Sequence, residues 1–199
     1  KFEDDVPTIE VGETSETMPT LVTDDTNTIG ASSDTAVADF SQMFEVSASN
    51  AGADDLETND AQPEITGYAL SLGTATSSGL THEGQAIELS MNGSVIEGKV
   101  TGITEPIFTL SVDADGKVTL TQNAEIDHGV DGSATDDIIA LATDSIKLSA
   151  TATITDDDGD TATDTYALDI SGAVKFEDDV PTIEVGETSE TMPTLVTDD

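Results

Sequence analysis

The stretch SIKLSATATITD, residues 145–156, decides the fold class because apolar and polar side chains alternate along it. Serine, lysine and threonine occupy one set of alternate positions. The other set is apolar and comprises Ile146, Leu148, Ala150, Ala152 and Ile154. A period of two residues is typical of a β-strand with one buried and one solvated face. The sequence therefore predicts a long strand that covers a core with its apolar side.

The same alternation recurs on both sides of this stretch. It appears in TATDTYALDI (161–170), in IFTLSVDADGKVTLTQ (107–122) with a turn at Asp113–Gly116, and in AIELSMNGSVIEGKV (86–100). The last segment turns at Asn92–Gly93, and Asn-Gly is a strong hairpin signal. Further strands are predicted in TIEV (8–11), MFEVSAS (43–49) and ITGYALSL (65–72), and a short helix only within 131–143. Many short strands with regular turn signals predict an all-β, immunoglobulin-like antiparallel β-sandwich.

An exact internal repeat sets the domain organisation. Residues 1–25, KFEDDVPTIEVGETSETMPTLVTDD, recur unchanged as residues 175–199, so the period is 175 − 1 = 174 residues. This period is too long for a solenoid and fits separate domains in a tandem array. We predict an acidic linker (1–7), one sandwich repeat (8–174), a second acidic linker (175–181) and the opening strand of the next identical repeat (182–199). Within the repeat, 8–64 fits the pattern less clearly, and 26–63 holds extra strands or a loop-rich insertion.

Charge excludes several function classes. The chain carries 42 acidic residues against 5 lysines, a formal charge of −37, and no cysteine. Disulfide, zinc-ribbon and thiolate chemistry is therefore excluded, and nucleic acid or an anionic membrane would be repelled. The apolar runs are too short for direct membrane insertion.

Self-repulsion among the carboxylates calls for divalent cations, and an oxygen-only ligand set favours calcium over zinc or copper.

The first candidate calcium site is the acidic loop DDDGD, residues 156–160. Asp156, Asp158 and Asp160 stand at alternate positions, and Gly159 allows a tight turn that would let them converge on one hard cation. The loop is not an EF-hand, because glycine is fourth instead of sixth and the flanking segments are strands. The alternative interpretation is a solvated acidic turn.

The second candidate is the acidic linker at the repeat boundary. Its ligands would be Glu177, Asp178 and Asp179, with Glu3, Asp4 and Asp5 in the N-terminal copy. A proline follows two residues later and keeps the segment extended. A calcium ion shared with loops of the adjoining domains would fix their orientation; the alternative is an ordinary charged linker.

Other charged residues are given structural interpretations. Asp24-Asp25 is interpreted as solvated charge, which could complete a junction site. His82 and His128 are interpreted as surface or loop residues.

No catalytic arrangement is apparent. A nucleophile motif such as G-x-S-x-G is absent from the sequence, and the two histidines have no acidic partner that spacing supports. Aromatic residues, which would line a sugar site, make up only 4% of the chain. The sequence therefore predicts a protein that is not an enzyme.

Four motifs in order carry a resemblance to a known family: GLTHEGQAIEL (79–89), FTLSVDADGKVTLTQNAEIDH (108–128), ATITDDDGDTATDTYALDI (152–170) and FEDDVP (176–181). Together they resemble the repeat of giant bacterial adhesins of the repeats-in-toxin class, exported by type I secretion. The resemblance implies sandwich domains strung end to end on the bacterial surface and stiffened by calcium at the linkers. By position, Asp156, Asp158 and Asp160 match the family's acidic loop, and Asp178, Asp179, Asp4 and Asp5 match its linker. It also implies a C-terminal export signal, in keeping with an N-terminus that shows no signal peptide.

The expected function is therefore structural. The repeat would act as an extracellular extender that projects an unknown distal adhesive domain in cell adhesion and biofilm formation, with neighbouring identical repeats as its partners. A second hypothesis is a calcium-dependent module that binds sugar, ice or a surface protein through threonines such as Thr151, Thr153 and Thr155. A hydrolase is the third.

Overall fold

The computed structural model of the protein describes residues 6–28, 32–52, 63–75, 77–129, 137–156 and 159–179. Within these ranges the chain forms fifteen β-strands and three 3₁₀ turns. The strands are β1 (Thr8–Glu13), β2 (Leu21–Asp24), β3 (Asp34–Asp39), β4 (Phe44–Asn50), β5 (Glu64–Leu72), β6 (Thr81–His82), β7 (Gln85–Ala86), β8 (Glu88–Asn92), β9 (Val95–Lys99), β10 (Phe108–Val112), β11 (Lys117–Gln122), β12 (Ile138–Ala140), β13 (Ile146–Thr155), β14 (Thr161–Asp169) and β15 (Val174–Glu177). The 3₁₀ turns are Asp25–Thr28, Ser41–Met43 and Ser171–Ala173. Among the described residues, no helix has the length and apolar character needed to cross a membrane.

Two antiparallel sheets form the main sandwich. One has the strand order β14-β13-β5, and the other has the order β3-β11-β10-β9-β8. Strand β5 contacts β8, β9 and β10 across the core. The β1–β4 pair packs against β13 and β14, mostly through β1. A smaller sheet, β12-β15-β2, contains a parallel pairing of β15 with β2. The predicted all-β sandwich is confirmed.

Strand β13 is the centre of its sheet and has the predicted two-sided pattern. It pairs with β14 on one side and β5 on the other. Its apolar face is buried along its whole length. On the opposite face, the hydroxyl oxygens of Thr151 and Thr165 lie 2.9 Å apart, and those of Thr153 and Thr163 lie 3.2 Å apart. Burial of one face explains why a ten-residue strand forms here without help from aromatic side chains.

The predicted hairpin at Asp113–Gly116 is confirmed between β10 and β11. The Asp113 carboxylate accepts hydrogen bonds from the backbone N–H groups of Asp115 at 3.0 Å and Lys117 at 2.9 Å. Gly116 has a φ of +80°, and a Cβ atom there would lie 2.9 Å from the Tyr68 ring. Glycine is therefore required both by the backbone conformation and by the close approach of Tyr68.

The structure assigns parts of two stretches, 131–143 and 26–63, whose secondary structure the sequence left open. The helix predicted within 131–143 is wrong for its described residues, because Ile138–Ala140 forms β12 and pairs with β15. Residues 131–136 lie outside the described residues. The described part of 26–63 consists largely of strands β3 and β4, so it adds strands to the sandwich.

The chain enters and leaves the repeat at opposite ends of β13. Strand β1 runs beside β14 in the same direction, because Val11 N–H donates to the Asp164 carboxylate at 2.8 Å and the Tyr166 hydroxyl lies 3.4 Å from Glu13. The entry therefore lies at the end of the sheet that carries the acidic loop. Strand β15 begins near the other end, since Leu141 N–H donates to Val174 O and Ile170 N–H donates to Ile146 O. A strand the length of β13 separates the two ends by about 30 Å.

Candidate metal centre

The acidic loop closes on itself through Asp156. The Asp156 Oδ1 atom accepts the backbone N–H groups of Gly159 at 3.0 Å and Asp160 at 2.8 Å. The Asp156 N–H in turn donates to the Asp160 carbonyl at 3.0 Å, and Asp156 is 6% exposed. Asp158, the remaining predicted ligand of this loop, lies outside the described residues. The described geometry therefore gives Asp156 a definite role in shaping the loop.

The linker residues lie at the exit end of the repeat. Glu177 is the last residue of β15, and Asp178 donates its backbone N–H to the Asp137 carbonyl at 2.9 Å. Asp179 is exposed. Glu3, Asp4 and Asp5 lie outside the described residues. Within one repeat, the structure thus separates Asp178 from the acidic loop instead of bringing the two predicted sites together.

A cluster at the exit end brings Asp178 together with Asp25 and His128. One ligand atom from each of the three side chains lies within 4.8 Å of the others. The His128 Nδ1 atom is 3.6 Å from Asp25 Oδ2 and 3.6 Å from Asp178 Oδ1. Among the described residues, this is the one group of three or more histidine or acidic side chains with such spacing. It is the candidate metal centre.

The parallel pairing of β2 and β15 creates this cluster. Asp24 stands opposite Glu177 at the end of the pairing, so the next residues, Asp25 and Asp178, follow side by side. His128 reaches them from the loop between β11 and β12, where its Nδ1 lies 2.8 Å from the Ile126 carbonyl and its Nε2 lies 3.2 Å from the Phe176 carbonyl.

Asp25 is held by the polypeptide around it. Its Oδ2 accepts the Ile126 N–H at 3.2 Å, and its Oδ1 accepts a hydrogen bond from the Gln122 side-chain amide. Burial raises the pKa of Asp25 to about 6, although the Ile126 and Gln122 hydrogen bonds and the nearby His128 act to lower it. The negative charge of Asp178 adds to the rise. The rise means that burial disfavours the charged form of Asp25 more than its hydrogen bonds favour it.

Sequence reasoning found one of the three residues. Asp25 was expected to be solvated and His128 to be a surface or loop residue; His128 does lie on a loop, but both side chains expose only 2% of their area. Burial was missed because neither residue lies in a long alternating segment. One signal was present: Leu21, Thr23 and Asp25 occupy alternate positions, and all three are buried. An acidic residue that continues the alternation of a buried strand face indicates a functional or ligand-binding position.

Comparison with known proteins gives a family. A family model described as "Domain of unknown function (DUF5801)" matches residues 20–171. The chain belongs to the DUF5801 family. No curated protein and no solved structure matches the chain.

The boundary of the DUF5801 match divides the candidate centre. Asp25 and His128 lie inside the matched residues, as do Asp156 and Asp160, whereas Asp178 lies beyond them. The cluster therefore joins the DUF5801 region to the linker that follows it.

Proposed function

We propose that this chain is a structural extender of a large bacterial surface adhesin of the repeats-in-toxin class, stiffened by calcium at the joints between identical repeats. It acts outside the cell and projects a distal ligand-binding region for adhesion and biofilm formation. The observation that carries this proposal is the position of acidic groups at both ends of a unit whose first 25 residues recur after it. The acidic loop lies at the entry end and the acidic linker at the exit end.

The exact repeat determines what meets at a joint. Because residues 175–199 equal residues 1–25, Asp178 and Asp179 of one repeat are also Asp4 and Asp5 of the next. The chain leaves the described repeat beside Asp25, and a following repeat of the same fold would be entered beside its acidic loop. Each joint would therefore gather carboxylates from the linker, from the exit end of one repeat and from the entry end of the next.

Calcium suits this arrangement. Converging carboxylates repel one another unless a cation lies between them, and a hard ion with several oxygen ligands is bound without strict geometry. Extracellular modules bind calcium with dissociation constants of about 10⁻⁴–10⁻³ M, so millimolar calcium would fill the joints. Binding would then stabilise the folded repeats by linkage.

Small-angle scattering of a protein with two consecutive repeats tests the proposal. We expect a stiff, elongated particle in calcium, a flexible one after chelation, and a melting temperature that rises with calcium. The variant Asp160→Asn should weaken the calcium response, whereas Asp115→Asn, the same change in a hairpin turn, should leave it intact. Identical scattering with calcium and with chelator would exclude calcium stiffening.

The ladder of paired threonines is the observation behind a second candidate function, a calcium-dependent module that binds sugar, ice or a surface protein. Thr151 with Thr165 and Thr153 with Thr163 form a regular hydroxyl surface. Glycan-array and ice-affinity measurements test it on wild type and on Thr163→Val. Binding that this variant abolishes would support the ladder as a ligand surface; absence of binding would leave it as the solvated face of the sheet.

A further inference from the structure

The His128 ring faces oxygen atoms on both sides. Its Nε2 lies 3.2 Å from the Phe176 carbonyl oxygen, and its Nδ1 lies 2.8 Å from the Ile126 carbonyl oxygen. Nδ1 also faces the carboxylates of Asp25 and Asp178. A neutral imidazole has one N–H donor and one lone pair. If Nε2 donates to Phe176, the lone pair of Nδ1 points at three oxygen atoms, so either a proton or a metal ion must lie among them.

The spacing fits a metal ion. Nδ1 lies 3.6 Å from each of the two carboxylate oxygens. In a tetrahedral site with bonds of about 2.0–2.2 Å, ligand atoms are roughly 3.3–3.5 Å apart. The contact from Nε2 to the Phe176 carbonyl would serve as the outer hydrogen bond that metal-binding histidines ordinarily make, while Nδ1 would exchange its contact with the Ile126 carbonyl for the ion. Small side-chain movements would therefore complete three bonds.

A buried amide beside the cluster supplies an independent sign of a missing ligand. Gln122 is fully buried, and its Oε1 atom has no hydrogen-bond partner among the described residues. Its amide lies against Asp25, because Nε2 donates to Asp25 Oδ1 and, at 3.0 Å, to the Ala124 carbonyl. Both partners of Nε2 are acceptors, so they fix this orientation of the amide and leave Oε1 as the unpartnered atom. An unpartnered buried oxygen beside Asp25 costs free energy, which indicates that the polar groups here are incompletely satisfied.

We propose that Asp25, His128 and Asp178 bind one divalent first-row transition-metal ion, for which Zn²⁺ is the probe. An imidazole nitrogen suits zinc and its neighbours, whereas calcium takes oxygen ligands. The two carboxylates carry a combined charge that a divalent ion cancels. This inference goes beyond the proposed function, since it concerns a second class of ion held within a single repeat.

The ion would fix the direction in which the linker leaves the repeat. Asp25 follows β2, His128 lies between β11 and β12, and Asp178 follows β15. One ion would join these three segments. The second carboxylate oxygen of Asp178 remains available to a calcium ion at the joint, so the two ions are compatible.

Calorimetric titration of this chain with ZnCl₂ tests the proposal, in about 1 mM calcium so that oxygen-only sites are filled. We expect one Zn²⁺ per chain. Long-range ¹H–¹⁵N spectra provide a readout without mutation, because the chain has two histidines. Zinc should shift the ¹⁵N signal of His128 Nδ1 and leave the ring signals of His82 unchanged.

Matched variants separate ligand loss from other effects. His128→Gln should weaken Zn²⁺ binding more than about tenfold, because changes to outer partners alone cost roughly 10- to 100-fold. His82→Gln is its control. Asp178 exposes a third of its side chain, so Asp178→Asn is the ligand variant least disruptive to folding. It should weaken Zn²⁺ binding similarly. The control is Asp179→Asn, at an exposed residue.

The metal site would be wrong if the two variants of each pair bound Zn²⁺ equally well, or if His128 Nδ1 stayed protonated at saturating Zn²⁺. The cluster would then be a group of charged side chains bridged by a proton. Zinc binding is measured on one repeat and calcium stiffening on two. Loss of either result therefore leaves the other interpretable.

Discussion

The rings of Phe108 and Phe176 meet with their centroids 5.1 Å apart and their planes inclined by 49°. Both side chains are completely buried. Phe108 opens β10 in the five-stranded sheet, and Phe176 lies in β15, two residues before Asp178. The strand that leads into the linker is therefore anchored in the core of its repeat, and the linker begins from a fixed point.

Replacement of Phe176 by alanine should be severely destabilising. The substitution removes a buried ring and leaves a cavity beside Phe108, which typically costs about 3–5 kcal/mol of unfolding free energy. Urea titration of the whole chain measures the change. The control Val37→Ala, at a side chain that is 60% exposed, should cost less than about 1 kcal/mol. Similar losses for the two variants would contradict the proposed anchoring.

Gly98→Ala should also destabilise the sandwich, for a different reason. A Cβ atom at Gly98 would lie 2.5 Å from Cζ of Phe108, whose ring is confined by Phe176. Overpacking of this kind costs about 1–3 kcal/mol. The matched control is Gly67→Ala, where a Cβ atom meets nothing within 4 Å. Thermal melts of the two variants should differ, and a near-wild-type melt for Gly98→Ala would show that Phe108 can move aside.

Asp169→Asn should reduce stability in a pH-dependent way. Burial alone would raise the pKa of Asp169, but hydrogen bonds from Ser171 and from the Asp144 backbone N–H outweigh burial and hold this pKa below its ordinary value. The Ser171 hydroxyl lies at 2.6 Å and the Asp144 nitrogen at 2.9 Å. A lowered folded-state pKa means that this stabilisation is present above the unfolded pKa of about 3.9 and is lost as pH falls through the folded value.

We expect Asp169→Asn to cost about 1–3 kcal/mol at pH 7, a cost that shrinks below about pH 4. Denaturant titrations of wild type and variant across this range give the measurement. Asp115→Asn, at an exposed turn, serves as the reference for a simple change in net charge. A cost for Asp169→Asn that stays constant to low pH would show that the charge of Asp169 is not what the hydrogen bonds stabilise.

Two substitutions of Asp156 should separate its structural role from calcium binding. Asp156→Asn keeps a side-chain oxygen that can accept the N–H groups of Gly159 and Asp160, whereas Asp156→Ala removes it. In calcium-free buffer, hydrogen exchange at Gly159 and Asp160 should therefore quicken in the alanine variant only. Both variants should bind calcium more weakly, because each removes one negative charge from the predicted ligand set. Equal exchange in the two variants would rule out the structural role.

Local patterns in the sequence were sufficient for much of the fold. The alternation from Ile146 to Ile154 determines which face of β13 is buried, and the Asn92–Gly93 and Asp113–Gly116 turns join strands that are close in the chain. Each of these features depends on side chains within a few positions of one another. The class of fold and several hairpins follow from them directly.

The candidate metal centre could not be predicted in the same way. The contact between Asp25 and Ile126 joins positions 101 residues apart, and Asp178 reaches Asp25 only through the parallel register of β2 and β15. No local period encodes that register. No residue type or period near His128 in the chain indicates its burial, so spacing alone suggested a surface or loop residue.

The parallel register of β2 and β15 also determines how a repeat would respond to tension. Leu21 to Asp24 lie beside Val174 to Glu177, so the second strand of the repeat pairs with its last strand. Traction on the two termini would slide these strands along each other in shear, loading their hydrogen bonds simultaneously instead of opening them one by one. Resistance to rupture would thus reside in the short pairing between the second and last strands of the repeat, and it would be governed by the rate of unfolding more than by equilibrium stability.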